Sequence, residues 1–411
     1  MLSIPRGIVY HKLGLDIKSL IFSFFAKLDD NRNIKAFEDK FADYLKVKFC
    51  NAFPFARTAI YYSLKYQKLP RGSEVIMPPI SIKGILDVVL DLGLKPVFVD
   101  IDPENLCFEE QDLKKKINKN TKSIIITYLY GIVPNMDRLI KICKENNLFI
   151  IEDFSHNLNA EFKNKKIGTF GDVGIYSTSS IKTLDTFGGG LAVTDDENIN
   201  NYLQESAQSL NTPPRSILIK KIVTSLIRNF ATNKILFPFI TFPLLKIAKK
   251  LYPDDILKYS GTRDVNPVES LPIDIFYAYT SFQAKIGLSL LETVSLNDEA
   301  RIQNVDLIKS KVQNLIVPQG DINGKNVYWQ FVFFPSDASK AQDFMHKNNI
   351  DTATSSLVNI SALKNYKHND NLPNANRIYP AGLFIPCYPS LKNNQTNNII
   401  KVLNKLVSLN L

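Results

Sequence analysis

Cysteine is scarce in this 411-residue sequence. Cys50, Cys107, Cys143 and Cys387 lie far apart and without CxxC spacing. That excludes a cysteine-built zinc site and gives no disulfide framework, so no bound metal and a reducing, cytoplasmic compartment are expected. Long hydrophobic runs are missing as well. The most apolar stretch near the amino terminus, Ile17 to Phe25, is broken by Lys18 and Ser19 and is too short to cross a bilayer. A basic head, apolar core and cleavage site are absent, so no signal peptide is expected. There is no internal repeat and no long low-complexity run.

A third absence is of one sign of charge. Between Ser206 and Pro253 there is no Asp or Glu, while Arg215, Lys220, Lys221, Arg228, Lys234, Lys246, Lys249 and Lys250 supply eight positive charges. The net charge of the chain is +10, so 10 − 8 = +2 remains for everything else. The basicity therefore belongs to one segment, and the rest is nearly neutral. Within it Ile219, Ile222, Val223, Leu226, Ile227 and Phe230 recur at helical spacing, with Lys220, Lys221 and Arg228 largely off that face. The following ILFPFITFPLL is apolar but short, and Pro238 and Pro243 oppose a continuous helix, which suits a shallow wedge. Residues 215–251 are therefore expected to dock on an anionic membrane surface without spanning it. The alternative is that this face packs on the body of the protein or on a dimer partner. Aliphatic runs rather than stacking aromatics separate the cations, so no nucleic-acid partner is expected.

Apolar strand patterns at Val47–Ala52, Glu74–Pro78, Lys95–Asp100, Ser123–Tyr128, Leu148–Ile151 and Val173–Ser177 alternate with helical ones such as Asn33–Leu45 and Met136–Glu145. Such alternation predicts an α/β fold with a mainly parallel sheet covered on both faces. From Tyr328 onward a smaller α+β unit is expected, with Tyr328, Trp329 and Gln330 as core rather than as a binding platform. The chain divides as 1–205, a large domain; 206–262, the basic insert; and 263–411, a smaller C-terminal domain.

Chemistry concentrates between Leu148 and Leu191. Asp153 follows a buried strand at its carboxyl end, where open α/β sheets bind ligands. Lys182 follows the next strand and the polar run Ser177 to Ser180, just before Gly188-Gly189-Gly190. An acid and a lysine so placed are what pyridoxal phosphate needs, the lysine to bond it covalently and the acid to keep its ring nitrogen protonated. Spacing alone leaves an ordinary solvated lysine as the alternative. Thr58 and Ala59 open a helix and place a hydroxyl and backbone amides for a phosphate, or else Thr58 is a plain N-cap.

The ordered pieces FEDKFADYL, ARTAIYYSL, GSEVIMPP, LGLKPVFVDIDPENL, YLYGIVPNMDRL, IIEDFSHNLNAEF, GTFGDVGIYSTSSIK and GGGLAVTDD resemble the DegT/StrS family of pyridoxal-phosphate sugar aminotransferases. The resemblance implies a type I (aspartate aminotransferase) fold, a homodimer and a cytoplasmic enzyme, peripheral on the inner face of the cytoplasmic membrane if the insert docks there. It implies conversion of a keto-sugar, nucleotide-linked, to an amino-sugar with glutamate as donor, feeding cell-surface polysaccharide or glycolipid synthesis. By position, Lys182 matches the covalent lysine and proton carrier, Asp153 the partner of the ring nitrogen, and His156 the Gln or His beside the ring oxygen. Thr58, Ala59 and Ser177 match the phosphate cradle. Departures are Ile82, where an aromatic usually stacks on the ring, and Arg57, where a Gly is usual and a charged phosphate contact results. Phe276 and Ala278 stand where Asn and Arg are common, and Ser355 and Ser356 where a His-Tyr pair is. A sugar dehydratase of the same family would carry His at the Lys182 position. The rival from another class is a membrane-associated regulatory protein that keeps the fold without turnover.

Overall fold

A computed structural model of the chain describes residues 2–251, 270–354, 357–363, 368 and 370–411, leaving aside the side chains of Lys249 and Lys250. Ser355, Ser356 and the expected boundary at 262/263 lie outside the described residues. Seven strands, β1 (Phe49–Phe53), β2 (Glu74–Met77), β3 (Lys95–Phe98), β4 (Thr121–Thr127), β5 (Phe149–Asp153), β6 (Val173–Ser177) and β7 (Gly190–Thr194), form one sheet in the order β1-β7-β6-β5-β4-β2-β3. Neighbours from β3 to β6 are parallel, and β7 runs antiparallel to both of its neighbours. The mainly parallel α/β sheet is the one the alternation of patterns predicts.

Because both faces are covered, the central strands are apolar throughout and send alternate residues to two different cores. Ile124, Ile126 and Ile150 pack on one side, Ile125 and Ile151 on the other. The helices used below are α1 (Leu13–Ser23), α2 (Asn31–Leu45), α3 (Ala56–Tyr66), α4 (Lys83–Asp91), α5 (Met136–Glu145), α6 (Glu197–Gln208), α7 (Arg215–Ala231), α8 (Phe242–Leu251), α9 (Ser281–Leu291), α10 (Val294–Lys311) and α11 (Asn393–Ser408). In α2 the apolar residues at helical spacing, Phe37, Phe41, Ala42 and Leu45, are buried, and the Asp30 carboxylate caps its start by accepting from the Arg32 amide.

Packing crosses the boundaries read from the sequence. α9 lies on α2, where a Cβ at Gly287 would come within 2.4 Å of Phe37 Cζ. Leu357, Ile360, Leu372 and Ala375 join the core that holds Ile60, Leu64, Ile85 and Val88 of α3 and α4. A separate C-terminal core gathers Val305 and Ile308 of α10 and Ile399 and Leu403 of α11, together with Phe331 and Ile385, and takes in Ile4 from the other end of the chain.

The insert folds as two helices, and α7 is rotated from the orientation its periodicity suggests. It buries Leu218, Ile222, Ser225 and Asn229, whereas Ile227 and Phe230 are exposed. The reason is its neighbour. α1 buries Asp16, Ser19 and Ser23 and leaves Ile17, Ile21 and Phe22 outside. Asn229 of α7 donates to Asp16 Oδ2 at 2.6 Å and to the His11 carbonyl at 3.1 Å. Polar groups that cannot be left dry and unbonded thus fix the seam. Pro238 and Pro243 do not break the path. A π-helical turn, Phe237–Thr241, carries Pro238 at its start, where a missing N–H costs little, and runs directly into α8, with Pro243 just past the junction.

Candidate active site

A cavity of about 700 Å³ opens at the carboxyl ends of the parallel strands. Asp153, His156, Ser177, Lys182, Arg57 and Ile82 all line it. Asp153 closes β5 and is buried; its Oδ1 accepts from the Ser155 amide at 3.1 Å and from the Ser155 hydroxyl at 2.5 Å. Its neighbour Glu152 points to the opposite face, as strand alternation requires. There the Glu152 carboxyl accepts from the amides of Gly168, Phe170 and Gly171 at 3.0, 2.6 and 2.6 Å and from the Tyr128 hydroxyl at 2.5 Å. Two adjacent acids therefore have separate tasks: one ties down a turn and the other faces the cavity.

Lys182 is buried, and loss of solvation pulls its amine down to about 7, with the negative charge of Asp153 opposing the fall. Burial raises the Asp153 carboxyl, against the pull of Ser155 and Lys182. Trp329 is buried, as the sequence leads one to expect, and it also lines the cavity, with Lys182 Nζ 3.9 Å from the centroid of its ring. Its other ring contact is His156, stacked at 3.9 Å and 11°. The indole Nε1 donates to the Ile181 carbonyl at 3.0 Å. Ile181 has φ 69°, a left-handed conformation disfavoured for a β-branched residue, and this bond pins it. Arg301 supports the same corner: its Nε donates to the Val327 carbonyl at 2.8 Å, and its guanidinium pairs with Asp298. Asp298 in turn accepts from Thr183 Oγ1 at 3.2 Å, next to the lysine. The lysine is thus held from both sides by packed groups far away in the chain.

His156 accepts the Tyr130 amide at Nδ1 (3.2 Å), so the proton of the neutral ring sits on Nε2. Burial, with Lys182 nearby, holds its pKa well below the ordinary value, and the ring is a neutral donor. Thr58 and Ala59 do not reach the cavity. Both are fully buried, the Thr58 hydroxyl donates to the Ile275 carbonyl at 2.8 Å, and the two amides donate to the Phe55 carbonyl at 3.1 and 3.3 Å. The wall is formed by the residues just before them, Phe55, Ala56 and Arg57. Ile82 stands at the mouth, 42% exposed, at the start of α4. Phe276 packs edge-on to Tyr61 at 5.3 Å, and the Ala278 amide donates to the Asn211 carbonyl at 2.7 Å.

Across from the strand ends the cavity is walled by the basic insert. Ile217, Lys220, Lys221, Thr224 and Arg228 of α7 line it together with Asp274. The lining thus carries five cations (Arg57, Lys182, Lys220, Lys221, Arg228) against two carboxylates (Asp153, Asp274). The charge pattern of residues 206–253 was legible in the sequence; the fold directs part of it inward. No cluster of metal-ligating side chains occurs among the described residues.

The model of the DegT/DnrJ/EryC1/StrS aminotransferase family matches residues 26–211 and 257–404. Among curated proteins, GDP-perosamine synthase of Escherichia coli O157:H7 is 32% identical over 166 residues, 40% of this chain and 46% of that protein. The chain thus spans a little under half the length of that relative. Among solved structures, a DegT DnrJ EryC1 StrS aminotransferase from Brucella abortus superposes with TM-score 0.73 at 20% identity, covering 96% of this chain and 94% of that one. An E. coli GDP-4-keto-6-deoxy-D-mannose-3-dehydratase with bound hydrated PLP gives TM-score 0.73 at 20% identity, over 98% and 100%. The chain belongs to the DegT/DnrJ/EryC1/StrS aminotransferase family and has its type I fold.

Proposed function

From that membership we propose that the protein is a pyridoxal-phosphate aminotransferase that converts a keto-sugar, nucleotide-linked, to an amino-sugar with glutamate as donor, for cell-surface polysaccharide or glycolipid synthesis. The observation that carries this reading is Lys182: a buried lysine whose amine is drawn down to about 7, in a cavity that also holds the Asp153 carboxyl. The donor set fits the cofactor. Lys182 would bond it through Nζ, Asp153 would face its ring nitrogen, His156 would donate Nε2–H to its ring oxygen, and Ser177 would meet its phosphate. Bound there, pyridoxal phosphate supplies an electron sink for charge developing at the carbon that carries the amine. Lys182 Nζ, once released, accepts the proton from that carbon and returns it. Asp153, whose Oδ1 accepts from Ser155, would be stabilised as an anion by a cationic ring nitrogen. Lysine rather than histidine at position 182 favours amination over dehydration. An absorption spectrum of the purified protein with pyridoxal phosphate tests the reading: glutamate should bleach the lysine-bound band and a keto-sugar should restore it. A band that no amino donor changes would instead favour the non-catalytic, membrane-associated alternative.

The finer setting is part of the same proposal: a cytoplasmic homodimer, as the resemblance implies, seated peripherally on an anionic membrane surface. No described helix is long and apolar enough to cross a membrane. The support for docking lies in what the insert and α1 leave outside. Ile227, Phe230, Ile235, Phe239, Leu244 and Ile247 are exposed, as are Ile21, Phe22 and, at 85%, Phe25. Exposed Lys234 and Lys246 accompany them, and residues 206–253 hold no acid. Apolar side chains interspersed with cations match an anionic leaflet. Flotation with phosphatidylserine-containing liposomes is expected to carry the protein at low salt and release it at high salt. Protein that stays in the soluble fraction at low salt would refute docking.

A further inference from the structure

The insert has a second task inside the cavity. Two cations meet at the Phe55 ring: Arg57 Cζ is 4.3 Å and Lys221 Nζ 4.6 Å from its centroid. Arg57 lies in the first turn of α3, and Lys221 reaches in from α7, a helix that starts 159 positions further along the chain, at Arg215 against Ala56. Gly188 gives Lys221 its room, since a Cβ there would stand 3.1 Å from Nζ. Gly84 does the same for Arg57, where a Cβ would fall 2.9 Å from Cδ. Neither cation has a carboxylate within ion-pairing distance among the described residues. Asp274 is the carboxylate that acts on both, and its Oδ1 is buried without a hydrogen bond. Asp87 also acts on Arg57 but is itself ion-paired with Lys83 at 2.8 Å, so the two cations outweigh Asp274, and burial lowers the pKa of both, Lys221 to about 8. The amino end of α3 lies in the same corner. It has no side-chain cap, and its first amides, those of Ala56 and Arg57, donate to no group among the described residues.

We propose that Arg57, Lys221 and the uncapped start of α3 form a phosphate-binding site, with the inserted helix α7 supplying the charge from within the same chain. A phosphate placed there satisfies the free amides, neutralises the cations and recovers the cost of their burial. Thr58, used up by Ile275, leaves that work to the residue before it and to the insert. The inference rests on the proposed cofactor chemistry and names its anion. Two sources share the chemistry: the phosphate ester of pyridoxal phosphate and the diphosphate of a nucleotide-linked sugar.

Trp329, the sole tryptophan of the chain, lines the cavity and reports its occupancy by fluorescence. The full-length protein and its Lys221→Met and Arg57→Met variants are titrated with pyridoxal 5'-phosphate, with pyridoxal and with inorganic pyrophosphate. If the site holds the cofactor, each variant weakens pyridoxal 5'-phosphate at least about tenfold, as for loss of a charge-assisted bond, and leaves pyridoxal unchanged. If it holds the substrate, pyrophosphate alone weakens by a similar factor. Lys221→Arg keeps the charge and should restore most of the affinity, which separates loss of a phosphate contact from loss of fold. Affinities for both phosphate probes within twofold of the parent in both methionine variants would overturn the site. Failure of the parent to form any Lys182 adduct with pyridoxal 5'-phosphate would sink the proposed function instead, and pyrophosphate binding would still judge the site.

Discussion

The cavity has two walls of opposite origin. The sheet wall is built by strand ends: Asp153, Ser177 and Lys182 arrive within 30 residues of one another, each set by a local strand and the turn after it. The helix wall is built by an insert whose side chains arrive from beyond residue 214 and whose placement depends on a polar seam with α1. On the proposed reading the first wall carries the groups that do chemistry and the second the groups that attract and orient an anion. A catalytic corner can therefore stay constant while an inserted helix changes what reaches it.

Breaking the sheet wall should have the largest effect. Lys182→Ala is expected to abolish both the borohydride-trappable cofactor adduct and transamination, since no neighbouring side chain can replace the primary amine. Peptide mapping of the trapped adduct to another lysine would contradict this. Asp153→Asn should retain the adduct but lower turnover on the order of 10² to 10³, the usual cost of removing one preorganised electrostatic group. The same variant gives a pH test. Capture needs the neutral amine of Lys182, so its rate in the parent should rise with pH and level off above about 7, where a solvated lysine would continue to gain up to about 10. The Asp153 charge raises the pKa of Lys182, so Asp153→Asn should move the midpoint lower. A midpoint near 10 in the parent would show that the lysine is not desolvated.

Loosening the helix wall should be milder and of a different kind. Asn229→Ala removes the donor that satisfies buried Asp16 and should cost roughly 1 to 3 kcal/mol of stability. A lower melting temperature with adduct formation at Lys182 intact would separate the two walls; loss of the adduct at a temperature where the protein is folded would join them. The smallest expected effect is at the mouth. Ile82→Phe adds an aromatic face that can lie on the cofactor ring, worth roughly 0.5 to 1.5 kcal/mol, and should tighten cofactor retention up to about tenfold. Unchanged retention in a folded variant would mean that position 82 does not cover the ring.

Legibility in the sequence followed the range of the interactions. The parallel sheet was readable because each strand's apolar run and its period are local. Asp153 and Lys182 were readable for the same reason, and the alternation of β5 sends Glu152 and Asp153 to opposite sides, while the fold decides which side holds the cavity. Of the residues expected around a phosphate at the start of α3, Arg57 lines the cavity and Thr58 does not, because which way Thr58 turns depends on the Ile275 carbonyl, more than 200 residues away. Trp329 read as core, and a buried aromatic that also lines a cavity has the same local sequence as one that does not. Only its bond to Ile181, across 148 residues, decides between them.

The same division holds for the insert. Its charge, its lack of acid and its helical period are properties of the sequence by itself, and so is the placement of a lysine after β6. Which way α7 faces was decided by the tertiary structure. A helical period fixes an angle between side chains but no direction in space, and direction comes from the neighbour that must be satisfied. Here the neighbour is α1, whose buried Asp16 needs the Asn229 amide; that bond turns Ile222 inward and leaves Lys221 on the cavity wall.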